Sequence, residues 1–215
     1  MRYSHILFDL DGTLTDPGEG ITNSAMYALN KLGIDERDRT KLYKFIGPPL
    51  VDSFKEFYGL SDEMAWQGVK FYREYYSDKG IFENSVYEGI YEILDTLSSS
   101  GIKLYVATSK PTMYTEIILE KFKLSEYFEL VSGSDMDEKN SDKATIIKNA
   151  IEKGQIPKDK AIMVGDRKFD ILGAGANNID SVGVLFGYGD KKELVDAGAV
   201  YVIESPKELL NIIER

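Results

Sequence analysis

The sequence predicts an α/β protein: a doubly wound parallel sheet that carries an inserted helical domain. Three observations lead there. Short apolar runs that stop at polar or acidic residues alternate with longer amphipathic stretches from Gly89 onward. The segment 17–83 holds no strand-like run and several helical ones. That segment also separates the first apolar run, Ile6-Leu7-Phe8, from the rest of the strand series.

In chain order, strands are expected at 6–8, 103–107, 161–164, 181–185 and 201–203. These are short, largely apolar runs, most of them ending at a polar residue, the pattern of buried parallel strands whose C-terminal edge faces a site. Between them, helical spacing covers 90–97 (closed by Gly101), 112–122, 143–151 and 169–177, and Pro206 opens a last helix through 213. This is a Rossmann-like order. Within the insertion, helices are expected at 21–32, 39–45, 50–58 and 62–76. The predicted domains are therefore 1–16 with 84–215, an α/β core, and 17–83, a helical unit.

Composition narrows the chemistry. There are 26 basic and 36 acidic residues in 215, a net charge of −10, which argues against a nucleic acid polymer or an anionic membrane as partner. Most of the excess lies outside the insertion, which has 9 basic against 11 acidic residues. The absence of cysteine excludes disulfides, thiolate nucleophiles and zinc–thiolate sites, and a single histidine, His5, excludes multi-histidine metal sites. The apolar start is too short for a signal peptide and nothing reaches the ~18 residues of a membrane span, so a cytoplasmic protein is expected. Chemistry must come from Asp, Glu, Lys, Arg, Ser, Thr, Tyr or a hard metal.

The most informative segment is Asp9-Leu10-Asp11-Gly12-Thr13-Leu14-Thr15-Asp16, directly after the first strand. In an extended terminus, positions i and i+2 point the same way, so Asp9 and Asp11 can share a cleft. Close carboxylates repel, which favours a hard cation or a shared proton. An EF-hand does not fit, because Gly12 is fourth rather than sixth from Asp9 and the twelfth position is Gly20. The run Gly173-Ala-Gly175-Ala-Asn-Asn178 begins like a dinucleotide fingerprint but lacks the third glycine and the preceding strand; close packing of a helix on the sheet explains it better.

The octapeptide resembles the first motif of the haloacid dehalogenase superfamily in its phosphatase form. Later motifs have counterparts in order: Thr108 at the end of Leu104-Tyr-Val-Ala-Thr, Lys143 at a helix start, and Asp166 with Asp170 after a strand. Lys139 competes with Lys143, and Asp142 reads equally as the N-cap of the helix that Lys143 begins. The resemblance implies a nucleophile, Asp9, and a general acid and base, Asp11. It also implies Mg²⁺ held by Asp9, the backbone carbonyl of Asp11 and Asp166, with Asp170 orienting that shell. Thr108, Ser109 and Lys143 would hold the phosphoryl group.

By the same resemblance the helical insertion is a cap, and Phe45-Ile-Gly47-Pro-Pro-Leu50 is similar to the Gly-Pro-Pro-Leu turn of phosphoglycolate-phosphatase-like members, which makes Gly47 a candidate substrate contact. Arg37, Arg39, Lys41 and Lys44 form a basic cluster, read as a solvated helix face or as a place for an anionic substrate. Tyr43 and Phe45 could stack a nucleobase. The expectation is a Mg²⁺-dependent phosphatase of small phosphorylated metabolites, a monomer or weak dimer, acting through an aspartyl-phosphate. A 5′-nucleotidase and a sugar phosphomutase are alternatives, and a receiver-like phospho-accepting domain is the competing class.

Overall fold

The computed structural model describes residues 2–137 and 141–213. The elements run β1 (His5–Phe8), β2 (Thr15–Asp16), α1 (Gly18–Lys31), α2 (Arg39–Leu42), α3 (Leu50–Tyr58), α4 (Asp62–Tyr76) and β3 (Ser85–Val86). They continue with α5 (Ile90–Ser99), β4 (Lys103–Pro111), α6 (Thr112–Lys121), β5 (Phe128–Ser134), α7 (Lys143–Gly154) and β6 (Ala161–Gly165). The chain closes with α8 (Lys168–Ala176), β7 (Asp180–Val184), α9 (Lys191–Asp196), β8 (Tyr201–Ile203) and α10 (Glu208–Ile213).

The chain forms two compact units, Met1–Thr15 with Val86–Arg215, and Asp16–Ser85. The sequence boundaries 17 and 83 fall just inside the second unit, because the chain crosses between units within the short β2 and β3 pairing rather than at a loop.

The first unit is the α/β one. Its six strands lie in the order β5-β4-β1-β6-β7-β8, all pairs parallel. Ile6, Leu7 and Phe8 are all buried, so β1 is covered on both faces, as the unbroken apolar run requires. On the Leu7 face, Tyr105 and Met163 of the neighbouring strands pack with Ile146, Ile147 and Ala150 of α7 and Ala174 of α8. The single histidine, His5, opens β1 at the end away from Asp9, stacked on Tyr105 and hydrogen-bonded to Ser4.

Four elements escaped the sequence reading: β2 and β3, of two residues each, and the longer β5 and α9. β5 is an edge strand with mixed exposure and no sustained apolar run, and α9 is six residues long. β4 runs on past Thr108 to Pro111, with a register break against β5 between Ala107 and Pro111, so Thr108 is not the strand's last residue. Gly173 serves helix–helix rather than helix–sheet packing: a Cβ there would stand 3.0 Å from Lys143 Cγ and 3.1 Å from Ile147 Cδ1 of α7.

The second unit is helical. α1 buries Ile21, Ala25, Ala28 and Leu29 and packs on α4, which buries Ala65, Val69, Tyr72 and Tyr76. Phe45 is buried and makes edge-on contacts with Phe54 and Phe57, so it is a core ring and not a base-stacking one; Tyr43 is exposed. The four basic residues all have partners inside this unit. Arg37 chelates Asp35, Arg39 donates to Thr22 Oγ1 and Asn23 Oδ1, Lys41 pairs with Glu36, and Lys44 sits over the rings of Phe57 and Tyr58. Gly47 takes φ +106°, a left-handed conformation suited to glycine, just ahead of the paired prolines that lead into α3. Among the described residues no helix is long and apolar enough to cross a membrane.

Candidate active site

Register in the sheet assembles the site. Phe8 of β1 is opposite Val106 of β4 on one side and Val164 of β6 on the other. The residues that follow, Asp9 to Asp11, Ala107 to Lys110 and Gly165-Asp166, therefore lie side by side at this edge of the sheet. Strand order reverses around β1, which puts this edge at a topological switch point, the usual crevice of such sheets.

Asp9, Asp166 and Asp170 are buried and each offers one carboxylate oxygen within 4.8 Å of the others. Burial, then the charges of Asp170 and Asp9, push Asp166 well above the usual carboxylate range. Burial raises Asp170 to about 6 against the lowering effect of Lys143. Three crowded oxygen donors beside a lysine ammonium form a set that a hard divalent ion would neutralise, so the residues fit such an ion.

That ammonium belongs to Lys143. Its Nζ lies 2.9 Å from Asp9 Oδ1 and 2.8 Å from Asp170 Oδ1, and it donates to the carbonyl of Ala107 at 3.2 Å. Its competitor from the sequence, Lys139, lies outside the described residues. Asp142 is the N-cap of α7, accepting from Thr145 N, which places Lys143 in the first turn. Asp170 combines two roles, since its Oδ2 also accepts from Arg167 N at the start of α8.

Asp11 parts company with the other acids. Its carboxylate pairs with Lys110 at 2.5 Å, and it is not a member of the acidic group that could hold an ion through its side chain. Burial raises its pKa, and Lys110 works against that. Thr108 is buried at the head of the β4 irregularity, where its Oγ1 accepts from Lys110 N, while the Ser109 carbonyl accepts from Ser134 Oγ. Gly47 belongs to the helical unit.

Sequence reasoning missed Lys110 and the loop after β7. Tyr188 N donates to Asp166 Oδ2 at 2.8 Å. A Cβ at Gly187 would meet Gly12 O at 2.2 Å and Asp166 Cβ at 2.4 Å, and one at Gly12, where φ is +84°, would meet Asp166 Oδ2 at 2.2 Å. Glycines at both positions let two backbones close on one carboxylate. The spacing Gly187-Tyr188-Gly189 after a strand was the available signal.

The profile of haloacid dehalogenase-like hydrolases matches residues 6–184. The chain belongs to that family. This hydrolase is 48% identical to a protein described as a predicted phosphatase from Clostridium acetobutylicum, whose crystal structure superposes with a TM-score of 0.97 and full coverage of both chains. It is 43% identical over 194 residues to a 5′-nucleotidase of Pseudomonas aeruginosa, covering 90% of this chain and 88% of the relative. A phosphoglycolate phosphatase of Vibrio parahaemolyticus is 27% identical, with 97% and 95% covered. The resemblance to this family and the α/β fold with a parallel sheet are thus borne out.

Proposed function

We propose that this hydrolase is a phosphatase of small phosphomonoesters that works through an aspartyl-phosphate. The observation that carries the reading is the division of the acids: Asp9 is buried with Asp166 and Asp170 against Lys143, while Asp11 turns away to Lys110. This division supports reading Asp9 as a nucleophile within a cation-binding group and Asp11 beside it as an acid and base.

An oxygen of Asp9 attacks phosphorus in line, the ester P–O bond breaks, and Asp11 gives its proton to the departing alkoxide. Water then loses a proton to Asp11 and attacks the same phosphorus, which releases inorganic phosphate and restores the Asp9 carboxylate. Lys143 and Thr108 hold the phosphoryl oxygens, with the backbone at Ser109. Asp9, Asp166 and the backbone carbonyl of Asp11 would hold Mg²⁺, with Asp170 orienting them. When bound, the ion supplies positive charge for the phosphate ester in a cleft that would otherwise repel it.

Nucleoside 5′-monophosphates stand first among substrate classes, since a 5′-nucleotidase is 43% identical, and phosphoglycolate is a second class, since a phosphoglycolate phosphatase is 27% identical over nearly the whole chain. The helical unit would act as the cap that completes substrate selection, with Gly47 as a contact. The test is phosphate release from p-nitrophenyl phosphate with Mg²⁺, followed by a panel of nucleoside monophosphates, phosphoglycolate, sugar phosphates and phosphotyrosine. Asp9→Asn is expected to abolish turnover; full activity in that variant, or in excess EDTA, would overturn the mechanism.

A further inference from the structure

We propose that Lys110 is a positioning residue for the proton transfers of Asp11, an inference that rests on the acid–base reading of Asp11 given above. Lys110 Nζ grips Asp11 Oδ2 at 2.5 Å, with the two side chains 7% and 11% exposed. The other oxygen, Asp11 Oδ1, is buried and has no hydrogen-bond partner among the described residues. A carboxyl held at one oxygen and bare at the other has a defined orientation, and the bare oxygen is the one left to exchange a proton with the ester oxygen or with water.

The backbone around Lys110 is arranged to bring it there. A regular β4 would keep pairing with β5, yet the register breaks between Ala107 and Pro111. Thr108 Oγ1 accepts from Lys110 N at 3.3 Å, and Ser134 Oγ of β5 donates to the Ser109 carbonyl at 2.8 Å. Gly133 of β5 lets that bend approach closely, since a Cβ there would stand 2.7 Å from Lys110 O. β4 is the direct neighbour of β1, so the bend delivers the ammonium to the segment just past Phe8.

The two lysines thereby divide the acids. Lys143 holds the carboxylates of Asp9 and Asp170, and Lys110 holds Asp11. In the first half-reaction the proton leaves Asp11 Oδ1 for the ester oxygen as the P–O bond breaks. In the second it returns to the same oxygen from the attacking water. Orientation errors of about 1 Å in such a group can cost ~10²-fold in rate.

The test compares aryl and alkyl phosphates of graded leaving-group pKa in wild type, Asp11→Asn, Lys110→Met and Lys110→Arg, with Mg²⁺ present. Aryl esters with good leaving groups need little protonation, whereas alkyl esters need it fully. Asp11→Asn should steepen the dependence of kcat on leaving-group pKa. Lys110→Met should steepen it in the same sense, with ~10²-fold loss of kcat on alkyl esters, under ~10-fold loss on p-nitrophenyl phosphate and little change in KM. Lys110→Arg, which keeps a cation of different reach, should fall between them. If Lys110→Met does not fold, Lys110→Gln gives the same comparison.

An equal loss across all esters, or a rise in KM with kcat unchanged, would overturn the positioning role in favour of a structural or phosphoryl-binding one. If Asp11→Asn itself leaves the leaving-group dependence unchanged, the acid–base reading of Asp11 fails and the inference fails with it. A steep Asp11→Asn beside an unchanged slope in the Lys110 variants overturns the inference alone.

Discussion

Lys143 Nζ lies 2.9 Å from Asp9 Oδ1, with the two side chains 4% and 5% exposed. Asp170 and the Ala107 carbonyl take the remaining directions around the ammonium. Burial alone would lower the lysine's pKa, but the charges of Asp170 and Asp9 outweigh it and hold the group cationic through the neutral range.

Removing that cation leaves buried carboxylates facing one another. Lys143→Met is therefore expected to lower kcat by about 10²–10³-fold, the usual scale for losing one donor to a developing charge. Lys143→Arg should recover part of this. Steady-state kinetics on p-nitrophenyl phosphate with Mg²⁺ decide it, and a loss smaller than tenfold would argue that another group neutralises the phosphoryl.

The acids set a pH dependence of stability. Asp170 in the folded, metal-free state is raised to about 6 and Asp166 well above the ordinary 3.8, chiefly by burial. The folded state then binds protons more tightly than the unfolded chain, so this contribution is present below about pH 4 and is lost as pH rises through about 6 and beyond. A divalent cation replaces those protons, so the Tm difference between Mg²⁺ and EDTA should widen from pH 5 to pH 7. A difference that stays flat with pH would count against these acids as the cation site.

Gly12→Ala tests the close approach to Asp166. The left-handed backbone at φ +84° costs an L-residue roughly 1–2 kcal/mol. The added methyl would also stand 2.2 Å from Asp166 Oδ2, which must move. The expected result is weaker Mg²⁺ activation, read as a higher Mg²⁺ concentration for half-maximal activity, together with a lower Tm.

Phe45 should behave as core. Phe45→Ala is expected to destabilise by about 3–5 kcal/mol through the cavity it leaves among Phe54 and Phe57. Phe45→Leu should keep the fold and leave the ratio of kcat/KM for nucleoside monophosphates over phosphoglycolate unchanged. A selective loss on the nucleotides would return Phe45 to substrate stacking.

Much of this protein was legible along the chain. The five strands with unbroken apolar runs, α3 and α4, and the acids at the ends of β1 and β6 follow from local pattern, because a buried parallel strand must be apolar throughout. β5 was not legible, since an edge strand with one covered face tolerates Glu129, Ser132 and Gly133. α9 was too short to show a helical period. Phe45, two residues from Tyr43 in Leu42-Tyr43-Lys44-Phe45-Ile46, carried no sign of which ring faces inward.

The sequence by itself determined the kinds of groups available: oxygen donors, lysines and no thiol, with Asp9 and Asp11 placed two residues apart beyond the first strand. The tertiary structure decided their partners. Asp9 went to Asp166, Asp170 and Lys143, whereas Asp11 went to Lys110, because parallel register sets β4 and β6 on opposite sides of β1. Spacing of two residues states which way side chains point. Which neighbour they meet depends on strands a hundred residues away, and on the close backbone approaches that Gly12, Gly133 and Gly187 permit.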